Sequence, residues 1–301
     1  MPEAAVAPRT LTIFRQEESL GAAADLDLAL ELLRKVKTGE VGPMLRLYRP
    51  APTVAFGQRD THLPGFDAAA QACRDLGFEP LVRKAGGRAA AYHEGTLVID
   101  HLEPDTDAIA GAKGRFSFFG ELLAHALRSA GVDAAVGEIP GEYCPGEFSV
   151  HGQDPEFPQH QLKLVGTAQR VVAGGWLFSS VIVVENSAPI RAVLEASYAA
   201  LGLDWDPATA GAVNDLAPHL DVDAIEAAVI DTYARYAALD YGDFGSLPGC
   251  ERQQARPGTP RCPALLIGFG CNRWSLVASG DPILELRRLG SDRRRLSLIR
   301  I

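Results

Sequence analysis

Positive charge is in short supply in this chain: 29 Lys and Arg stand against 38 Asp and Glu, a net charge of −9 over 301 residues. That balance excludes a surface built to neutralise nucleic-acid phosphates, and it argues equally against a polybasic membrane anchor. Cysteine is sparse as well. Five cysteines, at 73, 144, 250, 262 and 271, form no CxxC pair and no even-numbered disulfide framework. The stretch Met1 to Arg9 has no positively charged start running into an apolar core, so a reducing, cytoplasmic setting is expected. Long apolar runs are missing: Val171 to Val184 is interrupted by Gly174, Gly175, Ser179 and Ser180. It is too short to cross a bilayer as a helix and reads as a buried strand. The seven histidines include no HExxH spacing, and Cys250, Cys262 and Cys271 lack zinc-ligand spacing, so no metal is expected.

What is present suits a folded domain: 47% hydrophobic and 22% charged residues allow a sizeable core. Apolar spacing predicts helices over 22–37, 68–75, 117–130, 188–201 and 222–239. In the first, Leu26, Leu30 and Leu33 share the inward face, while Asp25, Asp27 and Glu31 point elsewhere. Strands are expected at 11–14, 44–49, 79–83 and 176–184, with a turn at Glu94–Gly95 and another strand leading into Gly57. Phe118–Phe119 and Cys73 read as core. These elements alternate irregularly, which predicts a mixed α+β domain on a largely antiparallel sheet flanked by helices. The polar, proline-bearing stretch 153–161 reads as a surface loop. Residues 1–241 are expected to form the catalytic domain, and 242–301, rich in Pro, Gly, Arg and Cys, a peripheral or weakly folded tail.

Candidate chemistry gathers in three loops. In Arg83-Lys84-Ala85-Gly86-Gly87, the glycines allow backbone to approach a ligand while Arg83 and Lys84 flank it; a tight inter-strand turn would read the same way. Cys144 lies in GEYCPG, where Gly141, Pro145 and Gly146 rule out regular structure and leave a thiol that substrate can reach. A single cysteine also serves as a small inert hydrophobe. Lys163, in LKLVGTAQR, sits among apolar neighbours and can polarise a carbonyl or steady a thiolate, or can simply edge a strand. His93 suits either a base for Cys144 or a polar strand turn.

The four blocks AFGQRD, VRKAGGRAAAYHEG, GEYCPGEFSV and KLVGTAQR, in this order over about residues 11–240, resemble the lipoate-protein ligase and octanoyltransferase superfamily, which shares its fold with biotin ligases. YCPG followed by a lysine block is most similar to its cysteine-dependent octanoyltransferases. The resemblance implies Cys144 as the nucleophile and Lys163 as the lysine contacting the acyl carbonyl. It implies Arg83, Gly86 and Gly87 as the loop bordering an acyl tunnel, with Gly166 and Gln169 following the lysine. Tyr92-His93 is similar to a tyrosine–histidine pair of the ligases, and Arg88 stands where ligases carry a third glycine. The implied reaction moves octanoyl or lipoyl groups onto lysines of lipoyl carrier domains through a cysteine thioester. The carriers would be the glycine cleavage H protein and 2-oxo acid dehydrogenase subunits, with acyl carrier protein as another donor and no bound cofactor. The alternatives are ligation of free lipoate, which would require ATP and Mg, and a non-catalytic carrier-binding protein.

Overall fold

The computed structural model describes residues 9–157, 159–248, 250, 274–278 and 284–288. Two compact units divide the chain, Met1–Glu251 and Arg252–Ile301. In chain order the first unit contains β1 (Thr10–Gln16), α1 (Ala22–Thr38), β2 (Met44–Tyr48), β3 (Thr53–Phe56), α2 (Phe66–Asp75), β4 (Glu79–Val82), β5 (Ala90–Tyr92) and β6 (Thr96–Asp105). It continues through α3 (Ala112–Ser129), β7 (Ala134–Val136), β8 (Val150–Gln153), β9 (Gln161–Val172) and β10 (Gly174–Val183). It ends with α4 (Ser187–Leu201), α5 (Val213–Leu216), α6 (Val222–Tyr233) and β11 (Ala238–Gly242). In the second unit, β12 (Trp274–Ala278) and β13 (Leu284–Arg288) pair antiparallel. The three arginines at 293–295 and Cys262 and Cys271 lie outside the described residues.

Eight strands form the main sheet in the order β11-β1-β2-β6-β10-β9-β8-β7, and β4-β3-β5 form a smaller one. Pairing is antiparallel everywhere in the main sheet except at β1, which runs parallel to both β11 and β2. The expected mixed, largely antiparallel architecture is therefore what the chain adopts.

Side-chain alternation along the central strands divides the core into two faces. Leu45, Leu47, Leu97 and Ile99 point to one face, where Phe119, Leu123 and Leu127 of α3 meet Ile225, Val229 and Tyr233 of α6. Met44, Leu102 and Leu177 point to the other, against Leu28, Leu32, Leu33 and Val36 of α1. The small sheet packs its Val54, Phe56 and Ala91 against α2 and α4.

Three expectations need correction. Asp25 does not point away from the core: it is buried, because Arg46 beneath α1 carries a charge that must be paired there. Helix α6 stops at Tyr233 rather than 239; Tyr236 keeps its helical-looking spacing only because it packs into the same aromatic cluster from the turn before β11. Phe119 is core, but Phe118 is 47% exposed. Beyond residue 241, Leu247 and Cys250 are buried against the α1 side of the sheet. Among the described residues, no helix is long and apolar enough to cross a membrane.

Candidate active site

A cavity of about 480 Å³ lies on the α1 face of the main sheet, beneath the small sheet. All four sequence blocks reach it, through Ala55, the Arg83–Gly87 loop, Cys144–Ser149 and Gly166–Arg170. Its size falls within the usual range for small-molecule sites, roughly 300–1,000 Å³.

Cys144 stands at the wall of this cavity in a left-handed backbone conformation, φ 43°. A non-glycine residue held there costs roughly 1–2 kcal/mol, so its surroundings must enforce it. They do so from three sides. The Cys144 N–H donates to the Tyr198 hydroxyl at 2.8 Å, and that hydroxyl donates to the Ala89 carbonyl at 2.9 Å. Lys163 Nζ donates to the carbonyls of Tyr143 (2.9 Å) and Cys144 (2.8 Å) and to Glu142 Oε1 (3.2 Å). Glu142 Oε1 also accepts from the Gly146 N–H (2.9 Å) and the Ser149 hydroxyl (2.6 Å). Residues 142–149 are thereby closed into a tight loop over the buried Lys163–Glu142 pair.

The 153–161 stretch does loop out, as its composition suggests. Gln153 pairs with Gln161, and the chain between them turns at the end of the β8–β9 hairpin. That turn leaves Lys163 in β9 directly under the cysteine loop. All three ammonium donors are engaged by the loop itself, so Lys163 holds the main chain of the nucleophile candidate rather than facing the cavity with a free N–H.

The thiol faces donors from the glycine loop. The Arg88 N–H points at Cys144 Sγ (3.1 Å), and Arg83 Nη2 lies 3.7 Å from it. Arg83 is fixed by the carbonyls of Ala55 (2.6 Å), Gly86 (3.0 Å) and Arg88 (2.7 Å). Gly87 has φ 101°, and a Cβ there would sit 2.9 Å from Sγ, so only glycine fits. Gly57 is required for the same kind of reason: a Cβ on it would run into the Gly87 carbonyl. Arg88, the departure from a third glycine, is pinned by Asp60 Oδ1 (2.9 Å), whose other oxygen accepts the Gly57 N–H (2.8 Å). Lys84 lines the cavity with its side chain exposed, and Arg170 bonds its carbonyl at 3.2 Å.

Gly166 and Gln169 also border the cavity. Gln169 is held by Arg115 Nε (3.2 Å) and the Ala112 carbonyl (2.7 Å). His93 does not line it. Its Nδ1 accepts the Gly95 N–H at 2.8 Å, which places the ring proton on Nε2, facing the Asn186 carbonyl at 2.9 Å. The ring therefore staples the β5–β6 turn, and both nitrogens are occupied. Three contributors were missed in the sequence: Tyr198, Asp60 and Glu142. Glu142 and Asp60 lie inside the quoted blocks, whereas nothing in the local pattern of α4 marks Tyr198. Among the described residues, no three His, Cys, Asp or Glu side chains gather as metal ligands.

A cysteine loop faces a glycine loop over one cavity, and the chain belongs to the lipoyl protein ligase A/B catalytic domain family, whose model matches residues 22–234. Among curated relatives, proteins of Anoxybacillus flavithermus and Geobacillus kaustophilus are 32% and 31% identical over 163 and 173 residues. These alignments cover 54% and 57% of this chain. Both relatives are named octanoyl-GcvH:protein N-octanoyltransferase, and the chain spans 55% and 58% of their lengths. The fold matches a lipoate-protein ligase A solved with ATP (TM-score 0.60, 17% identity, 78% of this chain and 88% of that one). It also matches the Thermoplasma acidophilum ligase of a bipartite archaeal lipoylation system (TM-score 0.56, 18% identity, 78% and 86%).

Proposed function

We propose that this protein is an acyltransferase that moves octanoyl groups between lysines of lipoyl carrier domains, with Cys144 as the nucleophile. The observation that carries this reading is the thiol of Cys144, held in a strained loop at the cavity wall with two donors, Arg88 N–H and Arg83, aimed at its sulfur. These contacts hold the sulfur at the cavity wall, within reach of a bound acyl carbonyl, and a cysteine attacks as its thiolate.

The reaction balances without a further reagent. In the first half, Sγ attacks the carbonyl carbon of an octanoyl-lysine amide and the C–N bond breaks. The donor lysine leaves as an amine with the proton taken from the thiol. In the second half, an acceptor lysine amine attacks the thioester, the C–S bond breaks, and the thiol is restored. One amide is consumed and one is formed, so the exchange is close to thermoneutral and needs neither ATP nor a metal. The Gly86 and Gly87 N–H groups, which have no acceptor among the described residues, are the donors available to the developing oxyanion. Burying the eight-carbon chain, at about 0.8 kcal/mol per methylene, supplies several kcal/mol of gross binding. The partners on this reading are the glycine cleavage H protein as donor and 2-oxo acid dehydrogenase lipoyl domains as acceptors.

A donor panel tests the proposal. Octanoyl-H protein should transfer its acyl group to a lipoyl domain without nucleotide, ahead of octanoyl-acyl carrier protein. Transfer seen only from free octanoate or lipoate with Mg-ATP would overturn it in favour of ligation. Carrier binding with no transfer from any donor would overturn it in favour of a binding protein.

A further inference from the structure

Residues 88 and 89 grip Cys144 at two points. The Arg88 N–H meets Sγ at 3.1 Å. The Ala89 carbonyl takes the Tyr198 hydroxyl at 2.9 Å, and that hydroxyl accepts the Cys144 N–H at 2.8 Å. The sulfur and the main chain of the cysteine are therefore both located by one two-residue segment, between the glycine loop and β5. The grip is only as firm as that segment.

Asp60 is what anchors its side-chain end. Asp60 is wholly buried; its Oδ1 takes Arg88 Nη1 at 2.9 Å and its Oδ2 accepts the Gly57 N–H at 2.8 Å. The Asp60 N–H closes the same turn on the Gly57 carbonyl at 3.0 Å. Gly57 lies so close to Gly87 that no Cβ fits between them. One buried carboxylate thus binds the turn at 57–60 to the segment that carries the Arg88 N–H, while Arg83 Nη2 holds the Arg88 carbonyl at 2.7 Å.

The direction of the Arg88 side chain matters as well. Residues 83–87 and 90–92 all line the cavity, whereas Arg88, Ala89 and Asp60 do not. Arginine keeps its charge at any ordinary pH, and the Asp60 carboxylate holds that charge outside the acyl site. Only the main-chain N–H of Arg88 is turned towards the reacting atom. Loosening the Asp60–Arg88 pair therefore moves the sulfur without deleting a contact to the acyl chain.

We infer that Asp60 is a positioning residue for the Cys144 sulfur, acting through its ion pair with Arg88 and the Arg88 N–H. The inference rests on the proposed role of Cys144 as nucleophile. Attack on an acyl carbonyl needs the two atoms about 3–3.5 Å apart and aligned, and a misplacement of about 1 Å costs up to roughly 100-fold in rate. The pair thus serves the chemical step rather than the affinity for the acyl group.

Single-turnover acylation of the full chain by octanoyl-H protein, without acceptor and over a range of donor concentrations, tests this. Arg88→Met should lower the limiting rate roughly 10- to 100-fold and leave the half-saturating donor concentration little changed. Arg88→Lys, which keeps a cation for Asp60, should recover most of the rate. Asp60→Asn should slow the same step, and adding it to Arg88→Met should cost little more, because both break one pair. The Arg88 side chain is 28% exposed, so its variants test the inference even if Asp60→Asn does not fold. A wild-type limiting rate in Arg88→Met, a change confined to the half-saturating concentration, or an Arg88→Lys variant no faster than Arg88→Met overturns the positioning role. Alkylation of Cys144 by iodoacetamide reads the sulfur without any carrier and should slow in the same order; equal alkylation across the variants also overturns it. If wild-type Cys144 takes no acyl group from any donor, yet alkylation falls in Arg88→Met and recovers in Arg88→Lys, the transferase reading fails while the positioning stands.

Discussion

Lys163→Met isolates the structural device beneath the candidate nucleophile. Lys163 and Glu142 are 2–3% exposed, and the ammonium makes three bonds, one to the carboxylate and two to main-chain carbonyls of the cysteine loop. Methionine keeps most of the volume but strands the carboxylate, whose Oε2 already has no partner. Removing one member of a buried ion pair costs about 3–5 kcal/mol. For a domain of this size each kcal/mol lowers the melting temperature by roughly 2–4 °C, so a fall of about 6–20 °C is expected. Glu142→Gln alone should also destabilise, because it leaves the ammonium with carbonyls only. The double variant, which removes both charges, should be more stable than the sum of the two losses allows, with a coupling of about 2 kcal/mol or more. Denaturant unfolding of the four proteins reads this directly. Strict additivity would refute the pairing, and a Lys163→Met variant as stable as the wild type would refute its burial.

Three further outcomes are expected. Gly166→Val should block acyl binding while leaving unfolding nearly unchanged, because a Cβ at Gly166 meets nothing within 4 Å and the added methyls enter the cavity; a loss of stability of several kcal/mol would contradict this. Tyr198→Phe removes the hydroxyl that accepts from Cys144 and donates to Ala89. It should cost about 1–3 kcal/mol of stability and slow alkylation or acylation of Cys144 as the loop loosens. Burial pushes the Cys73 thiol up from 9.0 to about 11. Because the unfolded chain then gives up this proton first, the stability Cys73 provides is full below pH 9 and is lost as pH rises towards 11. The loss between those values, read by denaturant titration, should shrink in Cys73→Val.

Much of this arrangement is legible along the chain because it is local. Helix α1 runs between two glycines, Gly21 before it and Gly39 after it in the left-handed cap, so its limits can be read directly. The cysteine and glycine loops announce themselves by Gly and Pro flanking reactive residues. What escapes is whatever depends on strand register or long-range packing. Asp25 reads as a surface residue until β2 places Arg46 under it. Tyr198 is an ordinary helical aromatic until α4 is laid beside residues 89 and 144. Leu26 and Leu30 have helical core spacing yet serve as cavity wall, a distinction drawn only by what lies opposite them. His93 shows the converse: a residue suited to catalysis by type is spent on a turn, since Gly95 and Asn186 take both ring nitrogens.

The central claim is that Cys144 carries the acyl group between carriers. Brief incubation with octanoyl-H protein in the absence of acceptor, followed by acid quench and peptide mass spectrometry, tests it most directly. The account predicts a hydroxylamine-labile octanoyl group on the peptide containing Cys144, discharged when lipoyl domain is added and absent in Cys144→Ala. Octanoyl transfer by Cys144→Ala at the wild-type rate, or an acyl adduct on another residue that discharges to the acceptor, would contradict it.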